Sequence, residues 1–228
     1  SFRLGNAIKN GVPVAIAGAT NTGKSTLLNA LLGEDRAIVS DVHGTTRDTI
    51  EETLNIDGIL FRFIDTAGLR ETDEVVEQIG IKRTFKKIEE ASIVLGMVDL
   101  TRDIDSTCET INEIVSKVNF DEQNLVFLLN KTDICEVNKK VILYNYIVSL
   151  IENKELKHKC VIFDKEGCES SNPTEKTADP SEIQAHSDSI AVIPISAKTG
   201  SGLEILRTHL ASTQRDLMAD SDTTLVTN

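Results

Sequence analysis

The chain has no tryptophan, and its seven phenylalanines and two tyrosines amount to 4% of 228 residues. That scarcity argues against the aromatic stacking platforms that bind single-stranded nucleic acid. Basic residues are also short: 24 Lys and Arg stand against 36 Asp and Glu, a formal charge of −12. No general attraction to DNA, RNA or anionic lipid follows from such a balance, so any polyanion must be held by local groups. Long hydrophobic runs are missing too. Stretches such as 125–129 and 191–195 fall far short of the roughly 20 residues a membrane span needs. The four cysteines, Cys108, Cys135, Cys160 and Cys168, form no C-x-x-C pair and sit near no histidine cluster. Free thiols in a reducing cytoplasm are expected, rather than a zinc site. No secretory signal is visible, and a chain opening on Ser1 reads as a segment of a longer protein.

What is present is a 40% hydrophobic composition, dominated by Ile, Leu, Val and Ala and sufficient for one α/β core without disulfides. Short β-rich runs alternate with amphipathic helical patterns, the signature of a largely parallel sheet covered on both faces. Strands are expected at 12–17, 49–56, 60–64, 93–98, 125–129 and 191–195, and helices at 25–32, 78–90, 106–118, 137–153 and 202–216. Asp57-Gly58 predicts a tight hairpin between the second and third strands, so this six-stranded sheet is mixed. The apolar run 160–163 has the composition of a short extra strand but no evident place. Residues 164–189 collect Gly, Ser, Asn, Pro and charged residues and read as a polar insertion loop. The expected division is an incoming linker at 1–11, a domain over 12–217 containing that insertion, and an outgoing linker at 218–228.

Gly18-Ala19-Thr20-Asn21-Thr22-Gly23-Lys24-Ser25 fits G-x-x-x-x-G-K-[ST] and lies between the first expected strand and helix. Its glycines let backbone amides curl toward phosphate oxygens at the positive end of a helix. Lys24 would neutralise β- and γ-phosphates, and Ser25 would offer Mg²⁺ an oxygen. An acidic chain can thus hold a polyanion. Asp65-Thr66-Ala67-Gly68 follows the third strand, where Asp65 can reach Mg²⁺ through water and the Gly68 amide can face a γ-phosphate. Asn130-Lys131-Thr132-Asp133 and Ser196-Ala197-Lys198 close two further strands. A carboxylate at Asp133 can accept from the N1–H and exocyclic amine of guanine, a donor edge that adenine lacks. The candidate nucleotide contacts are therefore Asn21, Thr22, Gly23, Lys24, Ser25, Thr26, Asn130, Lys131, Asp133, Ser196, Ala197 and Lys198.

These motifs, in this order, resemble the translation-factor-like GTPases with a Ras-like P-loop G domain, and within their TrmE–Era–EngA-like branch the MnmE (TrmE) family of tRNA-modifying GTPases. Ile38 to Asp48, with Gly-Thr-Thr-Arg-Asp at 44–48, resembles that family's first switch, and 65–81, DTAGLRETDEVVEQIGI, its second. The lead-in at 4–11 and the tail at 225–228 resemble the family's junctions with a helical domain. The resemblance implies a GTPase in which K⁺ replaces an arginine finger, bound by Asn21 with Ser40, Val42 and Thr45. It further implies Thr46 as a switch Mg²⁺ ligand beside Ser25 and Asp65. Glu77 would be the catalytic residue that orients water, since Leu69 stands where Ras-like proteins carry Gln. With Glu77, the residues assigned to catalysis are Lys24, Thr46 and Gly68.

Without the resemblance, Glu77 reads first as a solvated helix-start carboxylate, and Arg47 and Arg70 read equally as surface charges or cross-dimer contacts. His43, Ala19 and Thr20 depart from the family's usual residues without removing a side-chain ligand. The implied partners are a second copy through the switches and, in the longer protein, tRNA and the flavoprotein MnmG acting on the wobble uridine. No membrane, and no nucleic acid bound by this acidic domain itself, is expected. Two alternatives stay open: a ribosome-assembly GTPase of the Era or Der type, and a nucleotide-gated binding switch with negligible turnover.

Overall fold

A computed structural model describes residues 10–35, 51–64, 88–153, 159–162 and 189–225. In chain order the elements are β1 (Val12–Ala17), α1 (Lys24–Asp35), β2 (Glu52–Ile56), β3 (Ile59–Phe63), β4 (Ile93–Asp99), α2 (Ile104–Lys117), β5 (Asn124–Asn130), α3 (Val137–Asn153), β6 (Lys159–Ile162), β7 (Ser189–Pro194) and α4 (Leu203–Leu225). The sheet order is β2-β3-β1-β4-β5-β7-β6. Among the described residues only the β2–β3 pair is antiparallel. Its turn places Asp57 at φ 52° and Gly58 at φ 84°, the paired left-handed residues of a type I′ hairpin. The Asn55 side chain accepts from the Gly58 amide at 3.0 Å.

The six expected strands are all there, and 159–162 adds a seventh, parallel to β7 at the sheet edge. Two further expectations concern helices. Residues 88–90 are helical, the remainder of the expected 78–90 helix lying outside the described residues. The last helix continues past 216 to Leu225. Neither glycine nor proline interrupts 203–225, so the helix propagates through a polar tail that has no apolar stripe. The 164–188 part of the insertion is outside the described residues.

Period-two alternation sends each strand's side chains into two layers. On one face Val12, Val14, Ile16, Ile93, Leu95, Met97, Val126, Leu128, Ala191 and Ile193 pack with Leu27, Leu28, Leu31 and Leu32 of α1 and Leu203, Leu206, Leu210 and Ala211 of α4. On the other, Ala15, Ala17, Val94, Val98, Leu125, Phe127, Leu129, Ile190 and Val192 meet Ile111, Ile114 and Val115 of α2 and Leu143, Ile147 and Ile151 of α3. Each buried leucine contributes roughly 1.5–3 kcal/mol relative to exposure. Cys108 and Cys135 are free thiols packed against the second layer. His209 of α4 is also buried, which pushes its imidazole down to about 4 and keeps it neutral.

α2 is started by Asp103, whose carboxylate accepts from the Ser106 amide at 2.9 Å, an N-cap that removes one orphan donor. The turn ahead of this cap, 100–102, lies at the carboxyl end of β4. The carboxyl ends of β1, β3, β4, β5 and β7 lie along one edge, and the chain's path reverses between β1 and β4. Ligands of open α/β sheets gather at such a reversal.

Candidate nucleotide site

At the end of β1 the chain enters the 18–25 loop and is carried at once into α1. The Leu27 amide donates to the Gly23 carbonyl at 2.9 Å where the helix begins. The amides of a helix's first turn point out of its amino end. No acidic side chain occupies the first turn, which leaves the positive helix end available to an anion. Gly23 is required here twice over. Its φ is 98°, and a Cβ would lie 2.5 Å from the Asn130 amide nitrogen. Asn21 holds a φ of 60° with its side chain exposed, a conformation asparagine tolerates better than most residues.

Lys24 folds back over its own loop, donating to the Gly18 carbonyl at 3.0 Å and the Ala19 carbonyl at 2.7 Å. Burial, and then the charge of Arg102, push its ammonium down to about 8. Arg102 Nη2 in turn donates to the Thr20 carbonyl at 2.5 Å. Three successive loop carbonyls are thus capped by two cations. Thr22 is buried, its hydroxyl donating to Ala19 O at 2.9 Å.

Asn130 joins the motifs. Its side-chain nitrogen donates to the Thr22 carbonyl at 2.8 Å, and its oxygen accepts from the Ala197 amide at 3.0 Å. Both groups are buried, so one side chain satisfies a polar atom in each of two separate loops. The two base-side turns are joined as well, Thr132 N donating to Ile195 O at 3.2 Å. Asp133 and Lys198 are exposed at this rim, while Ser196 and Ala197 are buried. Lys131, at φ 72°, donates to Asp99 Oδ2 at 2.6 Å.

The structure therefore brings the 21–26 residues together with Asn130, Lys131, Ser196 and Ala197. Ser40, Val42, Thr45, Thr46, Asp65, Gly68 and Glu77 lie outside the described residues, as do His43, Arg47 and Arg70. Two site residues escaped the motif reading: Asp99 and Arg102. The available signal was Asp99 itself, a carboxylate closing the otherwise apolar run IVLGMVD. The tie made by Asn130 was equally invisible in a one-dimensional pattern.

A phosphate-cradling loop at a strand–helix junction, joined to a guanine-type turn across a mostly parallel sheet, defines the class of P-loop GTPases. The match to the family described as "50S ribosome-binding GTPase" spans residues 13–131, and the chain belongs to that family of GTP-hydrolysing enzymes. It is similar to the tRNA modification GTPase MnmE of Bacteroides thetaiotaomicron, 58% identical over 140 residues that cover 61% of this chain and 30% of that protein. It also resembles the tRNA modification GTPase MnmE of Flavobacterium johnsoniae, 48% identical over 187 residues, 76% of this chain and 40% of that protein. The chain thus spans well under half the length of these curated relatives and corresponds to their G domain.

In fold it is similar to a bacterial selenocysteine-specific elongation factor, EF-Sec, with a TM-score of 0.55 and 18% identity, covering 90% of this chain and 29% of that one. A GTP-binding protein from Sulfolobus solfataricus in complex with GDP gives a TM-score of 0.53 at 18% identity, covering 93% and 55%. Among the described residues no helix is long and apolar enough to cross a membrane.

Proposed function

We propose that this chain is the GTP-hydrolysing domain of a tRNA modification GTPase, stimulated by K⁺ and acting as a dimer formed through its switches. The single observation that supports it most is the Asn130 side chain, bonded at once to the phosphate loop and to the Ala197 turn. A guanine held beside Asp133 and a triphosphate held by the 18–25 loop would then share one rigid frame. Lys24, released from the Gly18 and Ala19 carbonyls, turns onto the β- and γ-phosphates. Amides of Gly23, Lys24, Ser25 and Thr26 meet phosphate oxygens, and the Ala197 amide meets the guanine carbonyl. Asn21, Thr22, Lys131, Ser196 and Lys198 complete the nucleotide contacts.

Hydrolysis forms a bond from water oxygen to the γ-phosphorus and breaks the bond to the β–γ bridging oxygen. The leaving electron pair stays on GDP, and the water protons end on inorganic phosphate and solvent. Glu77 orients this water and the Gly68 amide meets the γ-phosphate. Ser25, Thr46 and Asp65 offer Mg²⁺ the all-oxygen donor set that a hard cation takes, and the exposed first-turn position of Ser25 suits that role. The exposed amide side chain of Asn21 suits K⁺, with Ser40, Val42 and Thr45 as its companions. When bound, these ions supply positive charge to offset that of the transition state.

In the longer protein this turnover drives modification of the tRNA wobble uridine, U34, with the flavoprotein MnmG. The reading rests on the MnmE relatives' names and 48–58% identity. A cytoplasmic location is part of the same proposal. The family description, a 50S ribosome-binding GTPase, supports as the alternative a ribosome-assembly GTPase, of which the Era or Der type would share the same hydrolytic step.

The test is GTP turnover at matched ionic strength in KCl and NaCl, at two protein concentrations. Faster turnover in K⁺ that rises more than linearly with protein is expected. Equal turnover in both salts, or strict linearity, removes the cation site and the dimer and leaves a generic nucleotide switch.

A further inference from the structure

Asp99 is the most buried carboxylate described, 4% exposed at the carboxyl end of β4. A charge so placed is retained only with strong partners, and it has them in two directions. Oδ2 accepts from Lys131 Nζ at 2.6 Å, on the base side. Oδ1 accepts from the Thr101 amide at 2.8 Å and its hydroxyl at 2.7 Å, fixing the turn from which Arg102 projects. Arg102 Nε stands 4.0 Å from the same carboxylate, and its Nη2 reaches the Thr20 carbonyl across 82 residues of sequence. Asp99 and Arg102 also line, with Ala19 and Thr22, a small crevice beside the phosphate loop. Burial alone would raise the Asp99 pKa, but the hydrogen bonds from Lys131 and Thr101 win and hold it below the ordinary aspartate range.

We propose that Asp99 is the positioning residue of the nucleotide site, holding Lys131 against the base side and Arg102 against the phosphate loop as one ionic strap. The inference rests on the nucleotide-binding reading above and adds a division of labour to it. Arg102 is a cation that this chain itself supplies to the phosphate side, already seated before nucleotide arrives. When a phosphate draws Lys24 off the loop carbonyls, Arg102 keeps Thr20 capped. The loop then has no need to rebuild its backbone around the ligand. Lys131, in a left-handed backbone conformation at φ 72°, would otherwise be free to sweep many rotamers across the base pocket.

The test is a double-mutant cycle on the whole chain, read by binding of N-methylanthraniloyl-GDP and by steady-state GTP turnover. Asp99→Asn keeps the volume and an acceptor for Thr101 but loses the charge. It is expected to weaken nucleotide binding about tenfold, as the loss of a charge-assisted hydrogen bond does. The same factor appears in KM for GTP, with kcat within about twofold, because the strap holds the ground state and the transition state alike. In a Lys131→Met background, Asp99→Asn costs clearly less than in the wild type, since only its effect through Arg102 remains. Arg102→Met weakens binding severalfold at low salt, and the loss shrinks at high salt as the partly exposed charge is screened.

Equal losses from Asp99→Asn in both backgrounds, or wild-type binding by a folded Asp99→Asn, overturn the proposal. Should that variant fail to fold, Thr101→Val removes only the hydroxyl bond to the same carboxylate. It should then lower affinity about twofold to threefold and couple to Lys131, and an unchanged affinity overturns the proposal. If the wild-type chain itself binds no guanine nucleotide, the underlying reading fails as well. That outcome is distinct from binding that is merely indifferent to Asp99.

Discussion

The turn that presents Ala197 is tied mostly by its own backbone. Ser196 N donates to Ser201 O and Gly200 N to Ser196 O, both at 2.9 Å, and Thr199 N donates to Ser196 Oγ at 3.2 Å. The phosphate loop is held by side chains instead: Lys24 on two of its carbonyls, Arg102 on a third and Asn130 on the Thr22 carbonyl. Backbone ties persist whether or not a ligand is present. Side-chain ties can be exchanged for a ligand, and Lys24 is the one whose natural alternative partner is a phosphate. The base side is thus held by bonds that a ligand does not replace, and the phosphate side by bonds that it can.

Asn130→Ala should break this contrast most severely, because it removes a side chain bonded directly to both sides. It leaves the Thr22 carbonyl and the Ala197 amide without their partner, a loss of about 3 kcal/mol. Thermal denaturation should show a melting temperature lower by roughly 6–12 °C, and GDP titration an affinity lower by about a hundredfold.

A smaller effect should come from pH. Lys24 sits at about 8 beside the loop carbonyls and Arg102, and phosphate oxygens favour its charged form and raise that value on binding. Nucleotide binding therefore takes up a proton above about pH 8, so affinity is level below that pH and falls by up to about tenfold per unit above it. Measuring the GDP dissociation constant from pH 7 to 9.5 checks this. Lys24→Arg, charged throughout, should flatten the profile, and a flat wild-type profile would mean that the exchange of Lys24 from carbonyls to phosphate plays no part. The smallest effect belongs to Ser196→Ala. One hydroxyl acceptor is lost while the surrounding backbone bonds remain, so stability should drop by only about 0.5–1 kcal/mol and GDP affinity by about twofold.

The legible part of the molecule was what local chemistry dictates. Gly18 to Ser25 announces a phosphate loop because only glycine meets its backbone demands, and Asp57-Gly58 announces a hairpin because both residues take left-handed angles. Short β-rich runs alternating with amphipathic helical patterns pointed to a sheet covered on both faces, and the core has two such layers. Asp99 and Arg102 were illegible because their partners, Lys131 and Thr20, are 32 and 82 residues away in sequence. The place of β6 could not be read from four residues, too few to carry a pattern. Helix α4 was expected to stop where its apolar stripe does, yet a helix already nucleated and free of glycine and proline needs no buried face to continue.

That last helix has a mechanical meaning. It starts at Leu203, directly after the turn that presents Ala197, and its 23 residues make a rod about 34 Å long. Leu203, Leu206, Leu210 and Ala211 seat its first half in the core layer beneath that turn, so the turn and the sheet share one anchor.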